Sequence, residues 1–346
     1  MNEAYFILSK SKVKEQVDTL ENLGFKVSYS YKTNHEVGDV LQEVCPNVDF
    51  SIHAKQEIDM IKDKSKISFF LQAESVDELK EIINVGIRTF VVDNEIDLNN
   101  ILKAAEELDI KINISLRMKC QEHRVGSGKY FVYGMPSGKV NDLVLILSEN
   151  NFVDRIGVHI HRKSQNTSEW EIKDELEDSL TKEVLEKISF LNFGGGLPAV
   201  YRSSSEKVFP YIFSKLKESI EFLKKYNIES VIEPGRFIAA PSEKLIVEII
   251  QVQEKNLIVN TTIYNCALDA VMTETKMLLE EELSEESEGD YYLIKGNSPT
   301  KDDIFRYKVK LKNPQVGDTL TFLNAGAYNY TTDFFGFKKL ETKILE

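Results

Sequence analysis

Cysteine is scarce in this sequence, long apolar runs are missing, and positive charge is in deficit. Only Cys45, Cys120 and Cys266 occur in 346 residues, widely separated and without a C-x-x-C spacing. That excludes a disulfide framework, gives no cysteine pair for a zinc site, and suits a reducing cytoplasm. No stretch approaches the roughly 18 uninterrupted apolar residues that a membrane span needs, so no membrane partner is expected. The N-terminal MNEAYFILSKSKVKEQ lacks a basic leader and a small-residue cleavage site, so no signal peptide is expected. Lysine and arginine number 43 against 56 acidic residues, a formal net charge of −13. Such a surface repels phosphates and speaks against nucleic acid and anionic membranes, while leaning only weakly toward cationic substrates. Internal repeats and low-complexity linkers are also absent. What remains is an ordinary globular composition, 42% apolar and 29% charged, long enough for a barrel with an appendage.

The first two thirds of the chain alternate short β-type runs with amphipathic helical stretches. The predicted strands are KVSYSY (26–31), NVDFSI (47–52), KISFFL (66–71), RTFVVD (88–93), KINISLRM (111–118), RIGVHIH (155–161), KISFLNF (187–193) and ESVIEP (229–234). Eight strands apolar enough for burial on both sides, separated by helices, predict a parallel α/β barrel. After residue 236 the texture changes to KLIVEIIQVQ, NLIVNTTIY, DYYLIKG, RYKVKLK and DTLTFLN, which predict a mostly antiparallel β domain. The acidic run LLEEELSEESEGD is expected to be a solvated helix end followed by a loop.

Six motifs carry the chemistry. Lys32, after the first strand, sits at the end of a barrel where catalytic groups collect; partial desolvation there would favour a free amine able to condense with an aldehyde. Gly194, Gly195 and Gly196 follow the seventh strand, where backbone N–H groups can close around a phosphate, although a tight turn is the plainer reading. Glu233 and Arg236, in Glu-Pro-Gly-Arg, place a carboxylate and a guanidinium at the same mouth. The first can hold a pyridine nitrogen protonated and the second can grip phosphate, unless they form a salt-bridged rim. In Gly157-Val-His-Ile-His-Arg-Lys-Ser164, alternation puts His159 and His161 on one face. No acidic or cysteine cluster completes a metal site there, so no metal is expected. His161 suits ring stacking, Ser164 suits a phosphate contact, and His159 reads as a core histidine. The remaining motifs, Gly296 to Phe305 and Asn324 to Tyr328, are turn-like loops of the β domain.

In this order the motifs resemble the fold-type III pyridoxal-phosphate-dependent decarboxylases, the ornithine and diaminopimelate decarboxylase family. The resemblance covers residues from about 4 to 337. It rests on Tyr29-Ser-Tyr-Lys32-Thr-Asn34, Gly157 through Ser164, Gly194 to Gly196, Glu233 to Arg236, Gly296 to Asp303, and Gly326-Ala327-Tyr328. It implies an alanine-racemase-like fold, a (β/α)8 TIM barrel over 11–236 with a second, mostly antiparallel β domain over 237–346, residues 1–10 being a candidate addition to the latter. It also implies pyridoxal 5′-phosphate as cofactor and Lys32, His161 and Glu233 as catalytic residues. Lys32 would tether the cofactor aldehyde, His161 would stack on its ring and Glu233 would meet its pyridine nitrogen. Gly194, Gly195, Gly196, Arg236, Ser164 and Tyr328 would hold the phosphate. Arg117 resembles the family arginine near the phenolic oxygen, and Glu57 matches a position near the site. The implied reaction is decarboxylation of a basic or diamino acid, of the ornithine, lysine, arginine or diaminopimelate kind, or of a carboxylated polyamine. The implied assembly is a homodimer with shared sites.

The sequence departs from the family in the loop beginning at Gly296. Where the family carries a cysteine and then an acidic residue, this chain has Pro299 and Thr300. The proton donor to the substrate carbon is then open among His161, Lys32, Ser298 and water. Asp269, Ser298, Thr300 and Asp303 are the candidate substrate contacts. Arg162 and Lys163 replace residues that often include a glycine, and either contact a carboxylate-bearing substrate or sit at the rim. Two alternatives compete. A racemase on the same barrel would carry an arginine at the pyridine nitrogen, which Glu233 argues against. A non-catalytic cofactor-binding protein of vitamin B6 homeostasis would typically be a bare barrel.

Overall fold

The apolar runs of the first two thirds close into a ring. The structure, a computed structural model, describes residues 3–120, 133–273 and 275–346. After β1 (Tyr5–Ser9) come β2 (Lys26–Ser30), β3 (Asp49–Ile52), β4 (Ile67–Phe70), β5 (Thr89–Val92), β6 (Ile112–Arg117), β7 (Val153–His159), β8 (Phe190–Asn192) and β9 (Glu229–Ile232). Strands β2 to β9 form a closed, wholly parallel barrel, with Lys26 and Val27 of β2 registered against Val231 and Ile232 of β9. The eight expected strands are all present, each within a few residues of its sequence-based span.

The outer helices follow local rules. The helix Val76–Asn84 starts with a reciprocal Ser75/Glu78 capping box and buries Leu79, Ile82 and Ile83 at helical spacing. The helix Lys10–Leu23 is capped by Ser9 and stops at Gly24, whose φ of +105° is left-handed. No helix among the described residues is long and apolar enough to cross a membrane.

The second sheet contains β10 (Glu243–Gln253), β11 (Asn256–Val259), β12 (Leu278–Leu279), β13 (Asp290–Lys295), β14 (Ile304–Leu311), β15 (Thr319–Leu323) and β16 (Glu341–Leu345). Its order is β12-β15-β10-β11-β13-β14, and β1 joins it antiparallel to β10 and parallel to β16. Apart from the β1–β16 and β11–β13 pairs its pairings are antiparallel. Two expectations need correction. NLIVNTTIY ends as a strand at Val259, because Thr262 accepts from the Tyr264 N–H and starts the helix Ile263–Cys266. The acidic run is no helix end: Leu278 and Leu279 pair with Leu323 and Phe322, and the glutamates beyond them lie in turns and irregular backbone that lead into β13 at Asp290. Nor is that run wholly solvated, since Glu282 forms a two-pronged bond with buried Arg306 and Glu281 accepts from the Thr321 N–H.

The sheet domain grips the barrel beside the first βα turn. The Tyr328 N–H donates to the Thr33 carbonyl (3.0 Å), and Asn34 Nδ2 donates to Glu243 Oε2 and the Gly326 carbonyl, both at 2.9 Å. The Tyr330 hydroxyl donates to the carbonyl of Lys32. A Cβ at Gly326 would lie 2.1 Å from the Ala239 carbonyl oxygen, so only glycine permits this approach.

Candidate active site

The C-terminal ends of the barrel strands enclose a cavity of about 540 Å³. Lys32 enters it from the tight turn Tyr31–Thr33 directly after β2. The turn is anchored by buried Tyr31 and Thr33 and by the Tyr31 hydroxyl, which donates to Asp39 (3.0 Å). The Lys32 side chain opens into the cavity yet is walled by protein. Desolvation lowers its pKa, Glu233 opposes that and Arg117 reinforces it. The result is a larger share of free amine, the nucleophilic form.

Glu233 lines the same cavity and is held by three bonds to the barrel. Its Oε1 accepts from Ser51 (2.7 Å) and Asn192 (2.8 Å), and its Oε2 lies 2.9 Å from His159 Nε2. Burial alone would raise its pKa, but His159 and the Ser51 hydroxyl outweigh burial and hold it at about 2. The carboxylate is therefore ionised. Three of its roughly four acceptor positions are filled, and the one left on Oε2 suits a ring N–H.

His161 accepts the Gly195 N–H at its Nδ1 (3.2 Å), and its ring lies nearly parallel to that of His159, stacked with 6° between planes and 6.5 Å between centroids. Burial, with His159 and Arg117 nearby, lowers its pKa to about 3. It presents a neutral face, suited to lie against a flat, electron-poor ring. His53 is likewise lowered to about 4 by burial and by Lys32, and stacks on Phe70 at 4.4 Å. Behind it Glu57 accepts from the His53 N–H and contacts His35 Nε2, each at 3.1 Å. Arg117, at the end of β6, lies 5.1 Å from the centre of the Tyr133 ring.

The other end of the cavity is a cradle. Gly194 has φ +64°, and a Cβ there would sit 2.1 Å from the Ile160 carbonyl oxygen; at Gly195 it would sit 3.1 Å from the Glu233 carbonyl oxygen. Arg236 donates to Ser164 (3.2 Å), to the Tyr201 hydroxyl (2.8 Å) and to both Asp269 oxygens (2.6 and 2.8 Å), beneath the Tyr328 ring. A free amine, a carboxylate with one open acceptor, a neutral stacking ring and a glycine loop beside a guanidinium fit a pyridine aldehyde bearing a phosphate.

All the expected cofactor contacts therefore converge: Lys32, Arg117, His161, Ser164, Gly195, Gly196, Glu233, Arg236 and Tyr328 line one cavity, and Gly194 shapes its wall. The candidate substrate contacts do not. Asp269 is buried against Arg236, and Ser298, Thr300 and Asp303 form their own cluster, Ser298 donating to Asp303 at 2.6 Å. None of the four lines this cavity. Buried Arg162 turns away and pairs with Glu175, whereas Lys163 faces the cavity. Sequence reasoning missed Ser51, His53, Asn192 and Asp93, and took His159 only for a core residue. It is wholly buried, but it serves Glu233. The available signal was a polar side chain within or just after an apolar barrel strand, which demands a buried partner.

The chain matches the family described as pyridoxal-dependent decarboxylase, pyridoxal binding domain, over residues 10–240. It belongs to that family. It is 24% identical over 263 residues to a diaminopimelate decarboxylase of Pseudomonas aeruginosa, covering 70% of this chain and 63% of that protein. It is 23% identical over 347 residues to antizyme inhibitor 2 of Xenopus laevis, covering 91% and 74%. The fold matches a mutant diaminopimelate decarboxylase from Helicobacter pylori, crystallised with L-lysine, at a TM-score of 0.84 and 19% identity over 100% of this chain and 92% of the other.

Proposed function

We propose that this protein holds pyridoxal 5′-phosphate at Lys32 and decarboxylates a basic or diamino acid. The observation that carries this is the pairing, across one cavity, of a lysine whose amine is partly freed with a glutamate held ionised. When bound, the cofactor supplies an electron-poor ring that accepts the electron pair of the breaking Cα–carboxylate bond. The protein's part is positioning and proton placement. Glu233 Oε2 offers an acceptor to the ring N–H, keeping a proton there because the carboxylate is far too weak a base to remove it. Neutral His161 covers a ring face without repelling that positive charge. The Gly194–Gly196 loop, Ser164, Arg236 and Tyr328 hold the phosphate. Lys32 Nζ, which opens into the cavity, would tether the coenzyme aldehyde and is a group able to carry a proton there.

The basic or diamino substrate is supported by the relatives named diaminopimelate decarboxylase. A homodimer with shared sites is supported by the place of Ser298 and Thr300. They lie off this chain's own cavity, beside Tyr264 and the exposed Phe334 and Phe335, an apolar patch suited to a partner. The lack of a disulfide among Cys45, Cys120 and Cys266 supports a reducing compartment. Incubating the purified protein and cofactor with a panel of amino acids, while measuring carbon dioxide and amine product, tests the reaction. Visible cofactor absorbance without any turnover would instead favour a non-catalytic role, a reading kept open by the likeness to a protein named antizyme inhibitor and by Pro299 in the loop. Sedimentation of the native protein as a monomer at all concentrations would refute the shared site.

A further inference from the structure

Two cations follow His161, and the fold separates them. Arg162 is buried and paired with Glu175, an internal strut between the loop after β7 and the helix Ile172–Ser179. Lys163 projects into the cavity mouth, and no carboxylate among the described residues pairs with it. Its backbone is locked against the glycine loop: a Cβ at Gly196 would lie 2.9 Å from the Lys163 carbonyl oxygen. The Asn166 N–H donates to the Gly196 carbonyl (2.9 Å), and Gln165 bridges to both the N–H and the carbonyl of Ala199 (2.6 and 2.9 Å). Lys163 therefore has a rigid base beside the cradle and a side chain free to reach over it.

The other cavity cations are committed elsewhere. Lys32 and Arg117 both feel the charge of Glu233, at the ring end. Arg236 lies at the phosphate end, but Asp269 neutralises it two-prongedly, and Ser164 and Tyr201 take further N–H groups. Of its five N–H donors one is left. A phosphate monoester carries between one and two negative charges near neutral pH, and a closed ion pair compensates none of them. The chain's own net charge of −13 makes an uncompensated dianion costlier still.

Resting on the cofactor reading above, we infer that Lys163, rather than Arg236, supplies the mobile positive charge that neutralises the phosphate of the bound coenzyme. Arg236, fixed by Asp269, supplies geometry. Lys163 supplies charge.

The test compares pyridoxal phosphate with pyridoxal, which lacks the phosphate, in substrate-free equilibrium titrations read by coenzyme absorbance. Lys163→Gln keeps an unbranched polar side chain and removes the charge. It is expected to weaken pyridoxal phosphate binding about tenfold while leaving pyridoxal unchanged, with Lys163→Arg restoring most of the loss. The native protein's affinity for pyridoxal phosphate should also fall with added salt more steeply than that of Lys163→Gln. Equal weakening of both ligands would mean a structural role and overturn the assignment. Unchanged binding of both, with a raised KM for the amino acid, would mean that Lys163 reads a substrate carboxylate and would overturn it as well. A native protein that takes up neither ligand would sink the proposed function itself, a different failure.

Discussion

The barrel and the sheet beside it both bury polar side chains, but they treat them differently. In the sheet domain the buried groups satisfy one another. Asp303 accepts from the N–H groups of Ile263 and Ser298 and from the Ser298 hydroxyl, and Arg306 bonds Glu282 and the Met277 carbonyl. In the barrel they do not all do so. His53 Nδ1, His159 Nδ1, Ser115 Oγ, Arg162 Nε and Glu175 Oε1 are buried without a partner, and among the described residues every such atom lies in the barrel. An unmatched polar atom is costly, so a closed network marks a structural role, and the two at the cavity, on His53 and His159, mark a place built to receive something.

The largest test of that contrast removes the tether. Lys32→Ala should abolish the visible absorbance of the coenzyme and reduce turnover by at least about 10⁴-fold; an unchanged spectrum would refute the assignment. Next, Glu233→Gln should keep the coenzyme but slow turnover by on the order of 10² to 10³-fold, and near-normal rates would count against an ionised partner for the ring. On the sheet side, Arg306→Met should cost about 2–3 kcal/mol of stability in urea unfolding while leaving coenzyme affinity unchanged. A loss of affinity there would blur the distinction between the two regions.

The smallest effect concerns pH. Glu243, buried at the seam, has its carboxyl pushed up to about 8, first by burial and then by Glu36, against the hydrogen bonds from Asn34 and Thr342. A carboxyl raised in this way favours the folded state most below its unfolded value of roughly 4.3, and that advantage is lost as pH climbs toward about 8. Glu233 has the opposite sign: its depressed value of about 2 adds stability at neutral pH that is lost in acid. Glu243→Gln should therefore flatten the decline in stability between pH 5 and 8, gaining on the order of 2 kcal/mol at pH 8. Thermal unfolding across that range would show it, and a persistent slope would assign the effect elsewhere.

Much of this contrast is legible in the sequence itself. The barrel strands announced themselves because burial on both faces demands continuous apolar runs such as ISFF and TFVV. Lys32, Glu233 and Arg236 were legible because each follows a strand, the one place in a barrel where loops converge. Ser51 and Asn192 were not. Their meaning lies in a carboxylate 182 and 41 residues further along the chain, reached only when the barrel closes. Asp269 was assigned to substrate because sequence order cannot show that a helix of the sheet domain docks on Arg236. The acidic run misled for a related reason: charge density predicts exposure, but Glu282 had a buried arginine waiting on another strand.

The bond between Arg236 and Asp269 joins a barrel residue to one from the segment between β11 and β12. The Arg236 end of the cavity is thus assembled from both halves of the polypeptide, as is the turn bearing Lys32, clamped by Tyr328 and Tyr330. A fragment ending at residue 242 would expose a guanidinium without its counter-ion and a lysine without its clamps. On the proposed function, coenzyme uptake would report whole-chain assembly, and colour would develop only after the segments bearing Asp269, Tyr328 and Tyr330 have docked.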